Sequence, residues 1–281
     1  PQRRGFEETV CFRGGMHDYY AWRIEYGTSP RRSDGRYLTD VWTEEAIRFI
    51  ERHQTEPFFL HLTYNAPHTP LQAPPEETAP FAHRSDLTPA VKTLYGMIRR
   101  MDTGIGRVLE TLDRCGLRNN TIVMFTSDNG PQFSGQPGSP DSLHRFNCGF
   151  HGAKGQVYDG GIRVPLLMRW PDGLTGGGKR VDEMVHFADW FPTLCELCHA
   201  PIPSHLKLDG VSVVPLLRGE KGKTITRRCW QWNRYVPDVR YNAAIRDGDW
   251  KLVRPMVRGV ANAPCVNPWL TVSMYAPEFF E

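Results

Sequence analysis

No stretch of this 281-residue chain approaches the roughly 18 uncharged apolar residues that a membrane-spanning helix requires. Charge of one sign is not in excess either: 34 basic residues face 31 acidic ones, a net +3. Without a basic stripe there is no footprint for nucleic acid. Cysteine is sparse and odd in number, seven in all, which argues against a complete disulfide framework, and no spacing matches a paired zinc knuckle. Cys195-x-x-Cys198 lies in an apolar helical stretch and reads as helix packing rather than as a redox or metal motif. The P-loop, G-x-S-x-G, H-E-x-x-H and G-x-G-x-x-G signatures are absent. Gly104-Ile-Gly106 falls inside a long helical pattern and is not a phosphate loop. No signal-like apolar segment lies near the start. The first residue is Pro1, and Phe279-Phe280-Glu281 carries no turn or cap signal, so an internal piece of a longer protein is expected.

What the chain has is an average globular composition, 23% charged and 40% hydrophobic. It also has more Gly (26) and Pro (23) than the usual combined share of about 12%, so long loops are expected. Residues 1–40 show no clear period and read as loop with local structure. The pattern at 40–53 predicts a helix, with Asp40 or Thr43 as its cap. Residues 58–64 are aromatic and apolar, as a mostly buried strand should be, and Pro67, Pro70, Pro74 and Pro75 break regular structure after it. Apolar positions 91, 94, 98, 101, 105, 108, 109 and 112 predict a helix over about 89–114, closed at Gly116. Thr121–Ser127 is the clearest strand. Its apolar run predicts cover on both faces, the mark of a central strand in a parallel sheet. A strand at 162–170 is demoted to an edge or bulge by Pro165, and a helix is expected near 188–199. Asp247-Gly248 between residues 241–246 and 249–254 predicts a hairpin. The order implies an α/β fold, with a mainly parallel central sheet flanked by helices and a small C-terminal antiparallel β unit. The domain boundary is expected near 215, giving units 1–215 and 216–281.

Ligands in open α/β sheets bind beyond the carboxyl ends of the strands. The strand at 58–64 runs into Asn65-Ala66-Pro67-His68, and the strand at 121–127 into Asp128-Asn129-Gly130. If the two are parallel neighbours, His68, Asp128 and Asn129 face one crevice. Asp128 and Asn129 offer hard oxygens suited to calcium or magnesium, although an Asx-type turn is the plainer reading of Asp-Asn-Gly. Segment 130–161 holds eight glycines and no convincing period, as functional long loops often do. Within it Lys154 stands between Gly152 and Gly155, a point charge that suits a tetrahedral oxyanion. His151 is a further polar contact. Taken singly, each is as well read as an exposed loop residue.

Taken together these stretches resemble the sulfatases of the alkaline phosphatase superfamily, of the arylsulfatase B and galactosamine-sulfatase type. Pro57–Pro74, Thr121–Gly130 and His151–Pro165 carry the resemblance. Gly14–Tyr20, Ala188–Leu194, Leu208–Ser212 and Ala244–Leu252 extend it over roughly residues 14–255. The resemblance implies an alkaline-phosphatase-like fold and calcium-dependent hydrolysis of a sulfate ester, on a sulfated glycan or an aryl sulfate. It further implies that Asp128 and Asn129 are calcium ligands and that Lys154 holds the sulfate. By the same resemblance His68 contacts the ester oxygen or protonates the leaving group. His17 and Asp18 are placed toward the substrate rim, His151 is counted among the substrate contacts, and the resemblance implies a periplasmic, secreted or lysosomal compartment.

One departure is large. The family makes a formylglycine from Cys or Ser in C/S-x-P-x-R, and no cysteine or serine here starts that pattern. Cys11 is followed by Phe-Arg-Gly-Gly, and Ser29-Pro30-Arg31-Arg32 puts the proline one place early. The family's N-terminal aspartate pair and its upstream lysine and histidine are absent too. The chain alone is therefore expected to be inactive. Two alternatives stand beside this reading. One is a phosphodiesterase or phosphonate hydrolase of the same superfamily, using a transition metal such as Mn²⁺ or Zn²⁺. The other is a non-catalytic relative that binds sulfated glycans; the net charge permits but does not argue for it.

Overall fold

The structure, a computed structural model, describes residues 2–133, 143, 146–174, 177–222, 224–233, 240–255 and 273–275. Cys265 and most of residues 134–145, from the glycine-rich segment, lie outside these. The chain divides into two compact units. The first comprises Pro1–Thr121 with Ser134–Arg145, and the second Ile122–Phe133 with Phe146–Glu281.

In the first unit, residues 1–40 hold a small antiparallel sheet that the absence of period hid. Its strands are β1 (Val10–Cys11), β2 (Arg23–Tyr26) and β3 (Ser29–Arg32). They are two to four residues long and β3 is exposed throughout, so no alternation could mark them. Helix α1 spans Leu38–Arg52 and starts earlier than its composition suggested. Tyr37, not Asp40 or Thr43, is the N-cap, and it makes no side-chain capping bond. Asp40 is used otherwise: both its oxygens accept from the Arg100 guanidinium, at 2.7 and 2.6 Å, a bidentate fork between α1 and α3.

After the short helix α2 (Pro75–Thr78), α3 runs over Pro89–Arg114, as the 3.6-residue period predicted. The Thr88 side chain accepts from Val91 N and Pro89 occupies the first turn, a favourable start. At the other end Leu117 N donates to Leu112 O and Gly116 N to Asp113 O, which is a Schellman closure. Val91, Leu94, Met97 and Leu112 are buried, while Ile98 is half-turned to solvent. Trp22, Leu38, Val41, Trp42 and Met97 form the heart of this unit's core, with Tyr19 and Tyr37 stacked beside them.

Residues 58–64, expected as a strand, belong to no ladder among the described residues. Their burial alternates, with Phe59, His61 and Thr63 exposed. The aromatic and apolar composition thus marked neither a ladder strand nor a mostly buried segment among the described residues.

The second unit begins with β4 (Val123–Thr126), paired antiparallel to β5 (Leu166–Arg169). This corrects the expectation of a central parallel strand: Phe125 is 37% exposed and Leu167 62%. The apolar run is real, but β5 bonds β4 on one side only. Every ladder among the described residues is antiparallel, so the expected parallel sheet is not found there. Pro165 precedes β5 rather than bulging it, because residues Asp159–Ile162 form a helical turn, α4.

Helix α5 (Trp190–Leu197) follows a 3₁₀ turn at Phe187–Asp189, and α6 covers Val214–Arg218. Cys195 and Cys198 are free thiols at the end of α5. A second sheet runs in order β6 (Arg227–Gln231), β7 (Ala243–Asp247), β8 (Trp250–Arg254) and β9 (Ser273–Tyr275). This is the expected C-terminal antiparallel unit, shifted by one residue at its hairpin. Asp247 pairs with Trp250, so the two-residue loop is Gly248-Asp249. Gly248 has φ +60°, the glycine-first geometry of a type II′ turn. The inner face of this sheet packs Ala244 and Val253 against Val157.

Candidate functional site

Four of the six candidate residues lie in the second unit, on two loops joined by backbone. β4 ends at Thr126, and the chain turns through Ser127, Asp128, Asn129 and Gly130. Ser127 Oγ donates to Asn129 O (3.0 Å) and Asn129 Nδ2 to Gly130 O (2.9 Å). With its nitrogen engaged, the Asn129 amide keeps its oxygen for another partner. Asp128 is exposed, and its carboxylate meets no hydrogen-bond or ionic partner among the described residues.

The second loop is His151–Gly161. Gly130 N donates to Gly161 O (2.8 Å), Lys154 N to Pro131 O (2.8 Å) and Gly160 N to His151 O (2.7 Å). The strand-end loop and the lysine loop are thus zipped main chain to main chain. This is why glycines cluster here: a Cβ on Gly130 would fall 1.8 Å from Gly160 O. Lys154 is half-buried, and its ammonium has no hydrogen bond or ion pair to a described residue. The His151 ring stands edge-on to Tyr158 at 4.3 Å and is exposed. Asp128, Asn129, His151 and Lys154, up to 26 positions apart by number, therefore share one double loop. Among the described residues that loop carries an unpaired carboxylate, a free amide oxygen and an unpaired ammonium.

The other two candidates lie in the first unit. His68 is exposed, and its turn is closed by His68 N donating to Asn65 O (2.8 Å). The Ala66–Pro67 and Thr69–Pro70 peptides are cis. Nδ1 lies 3.0 Å from Thr69 O and 3.4 Å from Thr69 Oγ1; a carbonyl only accepts, so the shorter contact is a hydrogen bond in the Nδ1–H tautomer. Nε2 is left to face solvent, able to take or give a proton. From the other side Tyr19 Oη donates to His68 O (2.9 Å).

Asp18 is spent on holding this turn. Its Oδ1 accepts from Tyr20 N (2.8 Å) and Ala21 N (2.6 Å), and its Oδ2 from Gln72 Nε2 (2.8 Å), while Gln72 Oε1 accepts from Tyr19 N (2.8 Å). His17 Nε2 accepts from Arg23 N (3.2 Å). The structure thus brings Asp18 and His68 into one hydrogen-bonded clamp through Tyr19 and Gln72.

The Ala21 N–H above all, then the Gln72 amide and the Tyr20 N–H, hold the Asp18 carboxyl below its ordinary value. A depressed carboxyl stabilises the fold fully above its unfolded value of about 3.9, and that contribution fades as pH falls through the folded value. The clamp is therefore expected to persist to pH below the usual aspartate range. Carbon-detected NMR titration of the Asp18 carboxyl checks this; a midpoint at or above about 3.9 would refute it.

Sequence reasoning passed over the residues that brace these loops. Lys251 is 4% exposed on β8, with its ammonium 2.6 Å from Asp159 Oδ1 and 5.5 Å from the Trp230 ring centre. Burial pushes that ammonium below its usual value, and Asp159 opposes the shift. The signal was available: period 2 in Trp250-Lys251-Leu252-Val253 puts Lys251 on the same face as the apolar Val253. Tyr19, Gln72 and Asn242 act across 49 to 87 positions and leave no local pattern. Among the described residues no cluster of three or more His, Cys, Asp or Glu side chains is assembled that could hold a metal. None of their helices is long and apolar enough to cross a membrane.

Comparison with known proteins gives two family matches. Residues 1–200 match the model of the family described as Sulfatase, and residues 149–259 that of N-sulphoglucosamine sulphohydrolase, C-terminal. The uncharacterized sulfatase YdeN of Escherichia coli (strain K12) is 34% identical over 226 residues, covering 79% of this chain and 38% of that protein. Mouse steryl-sulfatase is 33% identical over 243 residues, covering 85% of this chain and 35% of that protein. The chain thus spans well under half the length of these relatives. Among solved structures, that of Ps i-CgsB in complex with k-i-k-neocarrahexaose superposes with a TM-score of 0.78 at 30% identity, covering 92% of this chain and 59% of that one.

Proposed function

The chain belongs to the sulfatase family, and from that premise we propose that it supplies sulfate-binding machinery to an enzyme that cleaves sulfate esters, R–O–SO₃⁻ to R–OH and sulfate. One observation carries the reading. The bonds Gly130 N to Gly161 O and Lys154 N to Pro131 O tie an unpaired lysine to a strand-end carboxylate and amide. Lys154 presents three donors on a point charge to the sulfate oxygens. His151 lines the same loop.

Asp128 and Asn129 fit a hard cation in the chemistry of their donors, a free carboxylate and a free amide oxygen. They are two ligands of the six or more that calcium takes. Bound calcium would supply positive charge against the sulfate oxygens, electrostatic stabilisation of the kind that often dominates catalysis.

His68 is assigned the leaving-group role. With Nδ1–H held by Thr69 O, the imidazolium can give the Nε2 proton to the departing oxygen and remain a neutral Nδ1–H tautomer. Asp18 serves by holding the His68 turn. The substrate class is sulfated glycans or aryl sulfates, and the compartment periplasmic, secreted or lysosomal.

The test is titration of the purified 281-residue chain with inorganic sulfate, with and without calcium. A charge-assisted contact is worth about 1.5–3 kcal/mol, so Lys154→Ala should weaken sulfate at least about tenfold. Asp128→Ala should remove any gain from calcium. Because C/S-x-P-x-R does not occur in these residues, the same preparation should release no sulfate from an aryl sulfate. Sulfate binding that is indifferent to Lys154→Ala would overturn the assignment.

A further inference from the structure

A lysine that must meet one sulfate oxygen needs a fixed backbone, because its own stem is four flexible carbons. A shift of about 1 Å in such a group can cost a hundredfold in rate. Residues 152–157 lie in no ladder. On one side they are held by Lys154 N on Pro131 O. The Asn147 amide reaches Gly152 O (3.2 Å) at the start of the segment, and on the far side of Lys154 the C-terminal sheet supports it through Asn242, which leads into β7.

Asn242 is 1% exposed. Its Oδ1 accepts from Val157 N (3.2 Å), while Nδ2 donates to both Gly155 O (2.8 Å) and Trp232 O (2.8 Å). One amide therefore grips the lysine loop at the residue after Lys154 and again two residues further on. Its own main chain is locked in turn: Asn242 O accepts from Trp232 N (3.1 Å) and Asn242 N donates to Pro255 O (3.3 Å). The residue sits at φ +47°, a left-handed conformation that asparagine tolerates better than most L-residues. Few other side chains combine that backbone with both a donor and an acceptor.

Beneath this grip Val157 is buried against Ala244 and Val253. A few residues on, Lys251 holds Asp159 as a second strut. The C-terminal sheet thus clasps the loop on both flanks of its core plug.

From this we infer that Asn242 is a positioning residue for Lys154, setting where its ammonium meets the anion; the inference rests on the sulfate role proposed above. A merely structural Asn242 would lower stability and leave the anion affinity of the folded protein alone. Positioning through Lys154 predicts a different pattern. The probe is inorganic sulfate, followed by the amide resonances of Lys154 and Gly155 at a temperature well below each variant's unfolding midpoint. Asn242→Gly keeps the left-handed backbone and deletes the grip. Asn242→Asp keeps the shape and turns a carboxylate oxygen toward the Gly155 and Trp232 carbonyls.

Each variant should weaken sulfate about tenfold or more in the native background, and by less than about twofold when Lys154 is already alanine. Native affinity in folded Asn242→Gly overturns the inference, and so does an equal loss in the Lys154→Ala background. If Lys154→Ala itself binds like the native chain, the proposed function fails and the inference falls with it. Should both variants fail to fold, the native protein decides. Coupling is reciprocal, so saturating sulfate should slow hydrogen exchange at Val157 N–H severalfold, and unchanged exchange there sinks the inference.

Discussion

Gly130→Ala is expected to part the two loops of the candidate site and to abolish most sulfate binding while much of the second unit stays folded. The new Cβ would lie 1.8 Å from Gly160 O, 2.8 Å from Gly160 C and 2.9 Å from Gly161 Cα. All three are backbone atoms, so no rotamer change relieves the clash; the main chains must separate by more than 1 Å. That stretches Gly130 N to Gly161 O, and with it the neighbouring bond from Lys154 N to Pro131 O, both 2.8 Å. Overpacking costs about 1–3 kcal/mol and each of the two hydrogen bonds lost about 0.5–1.5 kcal/mol, so a local loss of about 2–6 kcal/mol follows. Amide exchange at Gly130 and Lys154 should accelerate by more than about one order of magnitude, since 1.4 kcal/mol is tenfold. Gly106→Ala in α3 is the control. Nothing lies within 4 Å of its Cβ, and relief of helix glycine should leave stability unchanged or higher by about 0.5–1 kcal/mol. Native exchange rates in Gly130→Ala would show that the two loops are not joined as described.

The contrast between those two glycines marks what was legible in the sequence. Helix α3 was legible at about 89–114 because its determinants are local: a 3.6 period and Gly116 past the end. The Asp247-Gly248 hairpin was legible as a hairpin. Its register slipped by one because glycine takes the first loop position rather than the second, a choice the dipeptide does not encode. The apolar run at β4 announced hydrophobicity but not which neighbours would bond it, hence the misplaced parallel strand. At the site, Asp128, Asn129 and Lys154 stood out by residue type. The reason for the glycines did not, because Gly130 and Gly160 meet through space across 30 positions. Asp18 was read as a rim carboxylate; its bonds to Tyr20 N and Ala21 N are local, but its bond to Gln72, 54 positions away, shows that it also acts as a clamp. Asn242 was invisible for the same reason, since its partners lie 85 and 87 positions away.

The second large effect belongs to the scaffold and should leave anion binding alone. Asp189 and Arg228 form an ion pair with side-chain exposures of 2% and 9%. Asp189 Oδ1 accepts from Arg228 Nη2 and from Val211 N (2.9 Å), and Oδ2 from His186 N (2.8 Å). Arg228 Nη1 donates onward to Asp209 O (2.6 Å). The carboxylate thus pins residues 186, 211 and β6 to the start of α5, and the Asp189 carbonyl receives Thr193 Oγ1 (2.6 Å) from the helix itself. Asp189→Asn keeps the volume but leaves Arg228 as a buried charge without its counterion and sets an amide N–H where His186 N–H or Val211 N–H needs an acceptor. Breaking one partner of such a pair costs about 3–5 kcal/mol, a drop of roughly 10 °C in unfolding midpoint for a chain of this size. Adding Arg228→Met should recover a substantial part of the loss, because the uncompensated charge is then gone; a double variant less stable than Asp189→Asn alone would refute the charge argument. Asp189 touches neither loop of the candidate site, so sulfate affinity well below the midpoint should stay within about twofold of native. Gly130→Ala and Asp189→Asn therefore separate two properties of one unit. The first should lose the anion with its fold largely kept, and the second should lose stability with the anion site kept.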